Sequence, residues 1–139
     1  MNSLPLNTII HGDCLEVMKT FPDKSVDLVL TDPPYNLDYT GRVKGKFTKF
    51  DNDNLKENDY AEFVRLISLE IARVCKDDSA VYLFIDWRNY PIWSQNIAEF
   101  YAPIKNCIVW AKPGMGVGQF YRFQHEFCIF SVRGGVQAK

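Results

Sequence analysis

Apolar residues fall along this chain in short blocks whose period switches between that of a strand and that of a helix. Val26 to Thr31 is a nearly continuous apolar run, closed by Asp32 and two prolines, and predicts a strand buried in a parallel sheet. Ala80 to Ile85 predicts a second such strand, Ile108 to Ala111 and Phe127 to Val132 two more, and Thr8 to Ile10 a short one near the start. Between these runs the spacing changes to that of a helix. Phe63, Leu66, Ile67, Ile71 and Val74 share one face of a helix beginning near Asn58 or Asp59. Asp13 is placed to cap a helix running to about Phe21, which Pro22 ends, and a further helix covers about Pro91 to Phe100. Strands alternating with helices predict an α/β domain built on a parallel sheet. The pattern holds no internal repeat and no low-complexity segment.

The segments outside this pattern narrow the chemistry. Gly41 to Phe50 contains Arg42, Lys44, Lys46 and Lys49, no acid and two glycines, and reads as a flexible basic loop. The whole chain carries a net charge of −1, so any attraction to a polyanion has to come from such a local patch. Gly114-Met115-Gly116-Val117-Gly118 has Gln119 where a nucleotide-binding loop needs its third glycine, and reads as a mobile connection between strands. Cys14, Cys75, Cys107 and Cys128 are scattered without a Cys-x-x-Cys pair, which favours buried thiols in a reducing cytoplasm over metal or disulfide sites. His125-Glu126 lacks the second histidine of a zinc protease, since Ile129 stands there. No apolar run approaches the ~20 residues of a membrane span, and Met1 to Asp13 has no signal-peptide pattern. With 47% hydrophobic residues among 139, the chain suffices for one folded domain.

The hexapeptide Thr31-Asp32-Pro33-Pro34-Tyr35-Asn36 carries the most chemical information. Two adjacent prolines end the strand and push the residues before them toward extended geometry. The result is a stiff turn at a strand's carboxyl end, where open α/β sheets bind ligands. Such a turn offers a carboxylate, a proline carbonyl and an aromatic ring in fixed relation. A flat ring bearing an amine suits it: both oxygens accept from the NH2 and draw its lone pair out of conjugation, while Tyr35 stacks on the ring. An amine held that way is poised to attack an electrophilic methyl group. A base inside a duplex reaches such a turn only after flipping out. The plainer alternative is a proline turn with Tyr35 as a core aromatic.

Asp32-Pro33-Pro34-Tyr35 resembles the catalytic motif of the DNA amino-methyltransferases specific for adenine N6 or cytosine N4. Upstream, Ile9-Ile10-His11-Gly12-Asp13-Cys14-Leu15-Glu16 and Lys24-Ser25-Val26-Asp27-Leu28 resemble the lead-in of that family. Downstream, Val81 to Asp86 resembles its next central strand. Trp110-Ala111-Lys112-Pro113-Gly114, with Tyr121 to Glu126, resembles its late motif beside the target base. The order matches the circularly permuted class, whose catalytic half comes first, and the resemblance covers residues 7 to 134. It implies a Rossmann-like α/β fold and S-adenosylmethionine as cofactor, with no metal. It also implies that Asp32 and the Pro33 carbonyl hold the amine, Pro34 stiffens the turn and Tyr35 stacks on the base. Asp13 and Asp32 are the cofactor-side candidates, Asp13 serving also as a helix cap. Arg42, Lys44, Lys46 and Lys49 are the candidates for the backbone of double-stranded DNA. Arg122 and Glu126 are placed to line the substrate site or to form a structural ion pair, and Trp87 reads as core or rim.

The resemblance also marks what is missing. No Phe-x-Gly-x-Gly loop for the methionine part of the cofactor occurs, and no target-recognition region. The expectation is therefore that residues 1–139 form the N-terminal catalytic part of a methylase domain, incomplete in its central strands, with Val26 to Thr31 left as an open edge. Such a chain is expected to work with a complementary C-terminal half or by self-association. Adenine N6 is the favoured target because Asp rather than Ser opens the motif. Cytosine N4, an amide or RNA amine, and an inactive fragment that binds DNA or a partner remain the alternatives.

Overall fold

The computed structural model describes residues 4–38, 40–43, 46–49, 53–114, 116 and 120–134. The elements run α1 (Cys14–Lys19), β1 (Val26–Thr31), β2 (Thr40–Val43), β3 (Lys46–Lys49), α2 (Glu57–Val74), β4 (Cys75–Ile85), α3 (Tyr90–Asn96), a π-helical turn (Ile97–Tyr101), β5 (Ile104–Ala111) and β6 (His125–Val132). Four strands form one sheet in the order β1-β4-β6-β5, and β2 and β3 form a separate hairpin.

The sheet is mixed rather than parallel. Only β1 and β4 run parallel, with Leu30 opposite Tyr82 and Thr31 opposite Leu83. β6 is antiparallel to both β4 and β5. The physical reason is connectivity: β4 follows β1 through the crossover helix α2, whereas β5 and β6 are sequential neighbours and return on each other without a helix between them. Apolar runs look alike in either orientation, so the pattern alone does not separate them.

Alternation along the strands sorts side chains onto two faces. Val81, Leu83 and Ile85 of β4 are fully buried and pack with Ile129 of β6, Tyr60, Val64, Ile67 and Ile71 of α2, and Trp93 and Ile97. α1 closes this layer through Leu15 and Met18. Arg73 of α2 ties it down, donating to the carbonyls of Met18 at 2.7 Å and Phe21 at 2.9 Å. The opposite face carries Leu28, Leu30, Tyr82, Phe84, Phe130, Ile108 and Trp110, and it stays open: Leu30 is 67% exposed and Trp110 50%. β1 has a partner on one side only, so it is an edge strand among the described residues, as the sequence leads one to expect.

Three further expectations are corrected. Residues 8–10 form no strand; Ile9 is 97% exposed, and no described strand lies beside them to take up their amides. The basic segment is not a plain loop: Thr40–Val43 and Lys46–Lys49 pair antiparallel, with Arg42 opposite Phe47 and Val43 opposite Lys46. Two four-residue runs separated by a Lys-Gly pair are enough to zip into a ladder. Lys44, within that separation, lies outside the described residues, as do Met115, Val117, Gly118 and Gln119 of the glycine-rich connection. Cys14 is exposed, unlike the buried Cys75 and Cys128, because it begins α1 on the outside of the fold. The last helix, expected over about Pro91 to Phe100, is present, as seven α-helical residues, Tyr90–Asn96, followed by a π turn, Ile97–Tyr101.

Candidate functional site

The carboxyl ends of β1, β4 and β5 and the amino end of β6 meet at one end of the sheet. The parallel pairing of β1 with β4 sets Asp32 and Asp86 just beyond adjacent strand ends. The pairing of Ala111 with His125 and of Trp110 with Glu126 brings the late motif to the same end. Three of the segments quoted for the family resemblance, the Asp32 turn, the strand ending at Asp86 and the late motif, far apart in sequence, thus converge.

The turn after β1 is held by named donors. The Tyr60 hydroxyl donates to the Pro34 carbonyl at 3.1 Å, and the Trp93 indole Nε1 donates to the Tyr60 hydroxyl at 3.0 Å. Asn89 Nδ2 donates to the Tyr35 carbonyl at 2.5 Å. Asn36, at φ +55°, exchanges two bonds with the Leu55 backbone: Leu55 N donates to Oδ1 at 2.7 Å and Nδ2 donates to the Leu55 carbonyl at 3.2 Å. Asn tolerates this left-handed geometry better than most residues, which suits it to follow Tyr35. Sequence reasoning does not reach Tyr60, Trp93 or Asn89. The available signal is a pair of polar-tipped aromatic rings at otherwise apolar helix positions, since such rings seek partners when buried.

Against these ties, two acceptors stand out. The Pro33 carbonyl accepts no hydrogen bond among the described residues. Asp32 is exposed and pairs with no cation among them. The other two acids at this end are neutralised: Asp86 accepts from Arg88 Nε at 2.6 Å, and Glu126 pairs with Lys112. Glu126 is therefore part of an ion pair, but with Lys112 rather than Arg122, which is exposed.

Tyr35 is half-buried and packs against the core, and its buried hydroxyl lies near the Asp32 carboxylate without reaching full hydrogen-bond geometry. Burial first, then a hydrogen-bonding interaction with the Asp32 carboxylate, and last the charges of Asp32, Glu126 and Asp86, hold its pKa far above that of an ordinary tyrosine. The ring therefore stays neutral, and it shares the core with the residues that anchor the turn. Asp13 caps α1, with Oδ1 accepting from Leu15 N at 2.9 Å and Glu16 N at 3.3 Å.

Two clefts open at this end. One, of about 280 Å³, is lined by Leu30, Thr31, Asp32, Phe84 and Trp110. The other, of about 400 Å³, is lined by Trp87, Tyr121, Arg122, Phe123, His125 and Phe127. Trp87 is a rim residue of the second, 47% exposed, with its ring 6.3 Å from Phe123. Arg88 lies over both rings, 5.9 Å from the centre of Trp87 and 5.3 Å from that of Phe123. Among the described residues no group of three or more His, Cys, Asp or Glu is placed to hold a metal ion, and no helix is long and apolar enough to cross a membrane.

Type II methyltransferase M.HinfI of Haemophilus influenzae is 35% identical over 117 residues, 77% of this chain and 32% of its own length. DNA adenine methyltransferase YhdJ of Escherichia coli K12 is 34% identical over 112 residues, 79% of this chain and 35% of its own length. The solved structure of M1.HpyAVI with SAM matches with a TM-score of 0.60 at 19% identity, over 92% of this chain and 54% of that one. PvuII DNA methyltransferase, a cytosine-N4-specific enzyme, matches with a TM-score of 0.60 at 17% identity, over 86% of this chain and 46% of that one. At such identities the likeness establishes the fold, the Rossmann-like α/β fold of these methyltransferases. The chain spans about a third of the length of these two curated relatives and about half of these solved chains. The family model for DNA methylases, the N6 and N4 methyltransferases, matches residues 26–137, which include the Asp32 turn and everything that anchors it, and the chain belongs to that family.

Proposed function

We propose that this chain carries the catalytic part of a DNA methyltransferase that moves a methyl group from S-adenosylmethionine to the exocyclic amine of a flipped base, adenine N6 foremost. The carrying observation is the pair of acceptors, the Asp32 carboxylate, which meets no cation among the described residues, and the Pro33 carbonyl, on a turn whose next two carbonyls are already bonded. An NH2 group has two hydrogens to give, and two acceptors fixed in space hold its nitrogen with the lone pair turned toward the methyl donor. The part of the Tyr35 ring left uncovered by the core is available to stack on the base.

The chain's residues fit one side of the cofactor. The cleft beside Asp32 has an aromatic and aliphatic wall and one carboxylate, suited to a purine ring and its sugar hydroxyls. Asp32 lines this cleft; Asp13, which is not among its lining residues, is assigned to the cofactor through the oxygen that does not cap α1. The cofactor supplies an electrophilic methyl group on sulfur. Arg42, Lys44, Lys46 and Lys49 of the basic segment are assigned to the DNA phosphates, and replacing all four with alanine is expected to flatten the salt dependence of DNA binding.

The test is calorimetric titration of S-adenosylmethionine into the folded chain, followed by transfer of labelled methyl to duplex DNA and nucleoside mass spectrometry. N6-methyladenine formation that Asp32→Ala abolishes supports the proposal. N4-methylcytosine in its place favours the second reading, for which the fold of the cytosine-N4-specific PvuII enzyme speaks. A folded chain that binds the cofactor yet methylates RNA or peptide amines instead of DNA overturns the substrate assignment.

A further inference from the structure

Across Pro34 and Tyr35, the turn that carries Asp32 is tied down through carbonyl oxygens, and the direction of each of these ties is determined. Proline has no N–H, so Pro33 and Pro34 can be anchored only through their carbonyls. An indole nitrogen is a donor and never an acceptor. Trp93 Nε1 must therefore donate to the Tyr60 hydroxyl, whose single proton is left to point at the Pro34 carbonyl. Tyr60 is 3% exposed and Trp93 0%, so no water competes for either bond. A second, independent donor, Asn89 at the start of α3, takes the Tyr35 carbonyl. On the other side, Thr31 is locked in register with Leu83. Proline rings fix φ at both middle residues, so with residues 31, 34 and 35 held, the torsion that aims the Pro33 carbonyl has no freedom left.

We infer that Tyr60, Trp93 and Asn89 are positioning residues that aim the Pro33 carbonyl and the Asp32 carboxylate at the substrate amine. The inference rests on the amine-acceptor reading above. None of the three touches substrate; each acts by consuming an oxygen that would otherwise compete or swing. Their effect is specific: discrimination between a ring with an amine and the same ring without one.

The test compares binding of the full chain to a short single-stranded oligonucleotide of adenine and to one of purine, which lacks only the amine. Fluorescence anisotropy gives both affinities, and their ratio is the readout. The wild-type ratio is expected to favour adenine about tenfold, the worth of roughly one net hydrogen bond. Tyr60→Phe and Asn89→Ala are each expected to bring the ratio near one while leaving purine binding unchanged. Tyr101→Phe is the control. It removes a buried hydroxyl that donates to the Ser79 carbonyl at 2.6 Å, at the other end of β4, and is expected to keep the wild-type ratio. Asn89 is only partly buried, whereas Tyr60 is buried, so its variant stays informative even if Tyr60→Phe fails to fold. A ratio that survives both substitutions, or falls equally in Tyr101→Phe, overturns the positioning role. Equal binding of the two probes by the wild-type chain, or no binding, overturns the amine-acceptor reading itself.

Discussion

Asn36→Ala tests how the Asp32 turn is held. Asn36 sits at φ +55° and makes two hydrogen bonds to the Leu55 backbone, at 2.7 and 3.2 Å. Leu55 is partly buried against the core, so its amide and carbonyl are not freely rehydrated when the Asn side chain is removed. Losing two such bonds costs about 1–2 kcal/mol, and an alanine forced into the left-handed region adds roughly 1–2 kcal/mol. The expected loss is about 2–4 kcal/mol, a fall in melting temperature on the order of 10 °C for a domain of this size. Asn36→Gly loses the same two bonds without the steric cost, and should be about 1 kcal/mol more stable than Asn36→Ala. Urea unfolding followed by circular dichroism measures both, with an unchanged m-value confirming that the same surface unfolds. Hydrogen exchange at the Leu55 amide should quicken in both variants. A loss below about 1 kcal/mol, or alanine and glycine variants of equal stability, would refute the reasoning.

Arg73→Met is expected to cost about 2–4 kcal/mol, since the guanidinium holds the Met18 and Phe21 carbonyls as well as Glu70, while its bond to the exposed Asp23 counts for little. Arg65→Met, which breaks only the exposed pair with Glu62, should leave the urea midpoint where it is. Burial, with Asp53 and Asp86 adding to it, pushes the Tyr60 hydroxyl up to about 12. Its folded pKa is thus above the unfolded value of 10.0, so its contribution is complete below pH 10 and is lost as pH rises toward 12. Unfolding free energies measured from pH 9 to 12 should fall, and Tyr60→Phe should flatten part of that slope. Leu30→Lys, on the open face at the sheet's edge, should change stability by no more than about 0.5 kcal/mol and reduce self-association in sedimentation velocity. A large destabilisation there would mean the face is packed.

Much of this fold is legible without coordinates. The run Val26 to Thr31 is bounded by a serine and a proline pair that no strand can cross, and β1 has those bounds. Asp13 announces α1 because a carboxylate before a short apolar run is a cap, and it caps. The face of α2 follows from spacing alone, with Ile67, Ile71 and Val74 buried. Pairing is less legible. The direction of β6 depends on which strand it meets, and residues 8–10 carry strand-forming side chains without a described partner. β2 and β3 hide within a basic segment whose composition suggests a loop. At the site, Asp32 to Tyr35 stand out as a motif, whereas Tyr60, Trp93 and Asn89 are recognised only by the oxygens they meet, contacts separated by 26 to 54 positions in sequence.

The proline pair gives the turn a chemical polarity with a consequence for turnover. The Asp32 carboxylate and the Pro33 carbonyl are both acceptors, and Pro33 and Pro34 add no N–H to the turn. On the proposed reaction, a substrate amine satisfies both oxygens with its two hydrogens. The product has exchanged one hydrogen for a methyl group, so one acceptor must lose its bond and face a carbon. The site then grips its product less firmly than its substrate, which favours release after a single methyl and works against adding a second.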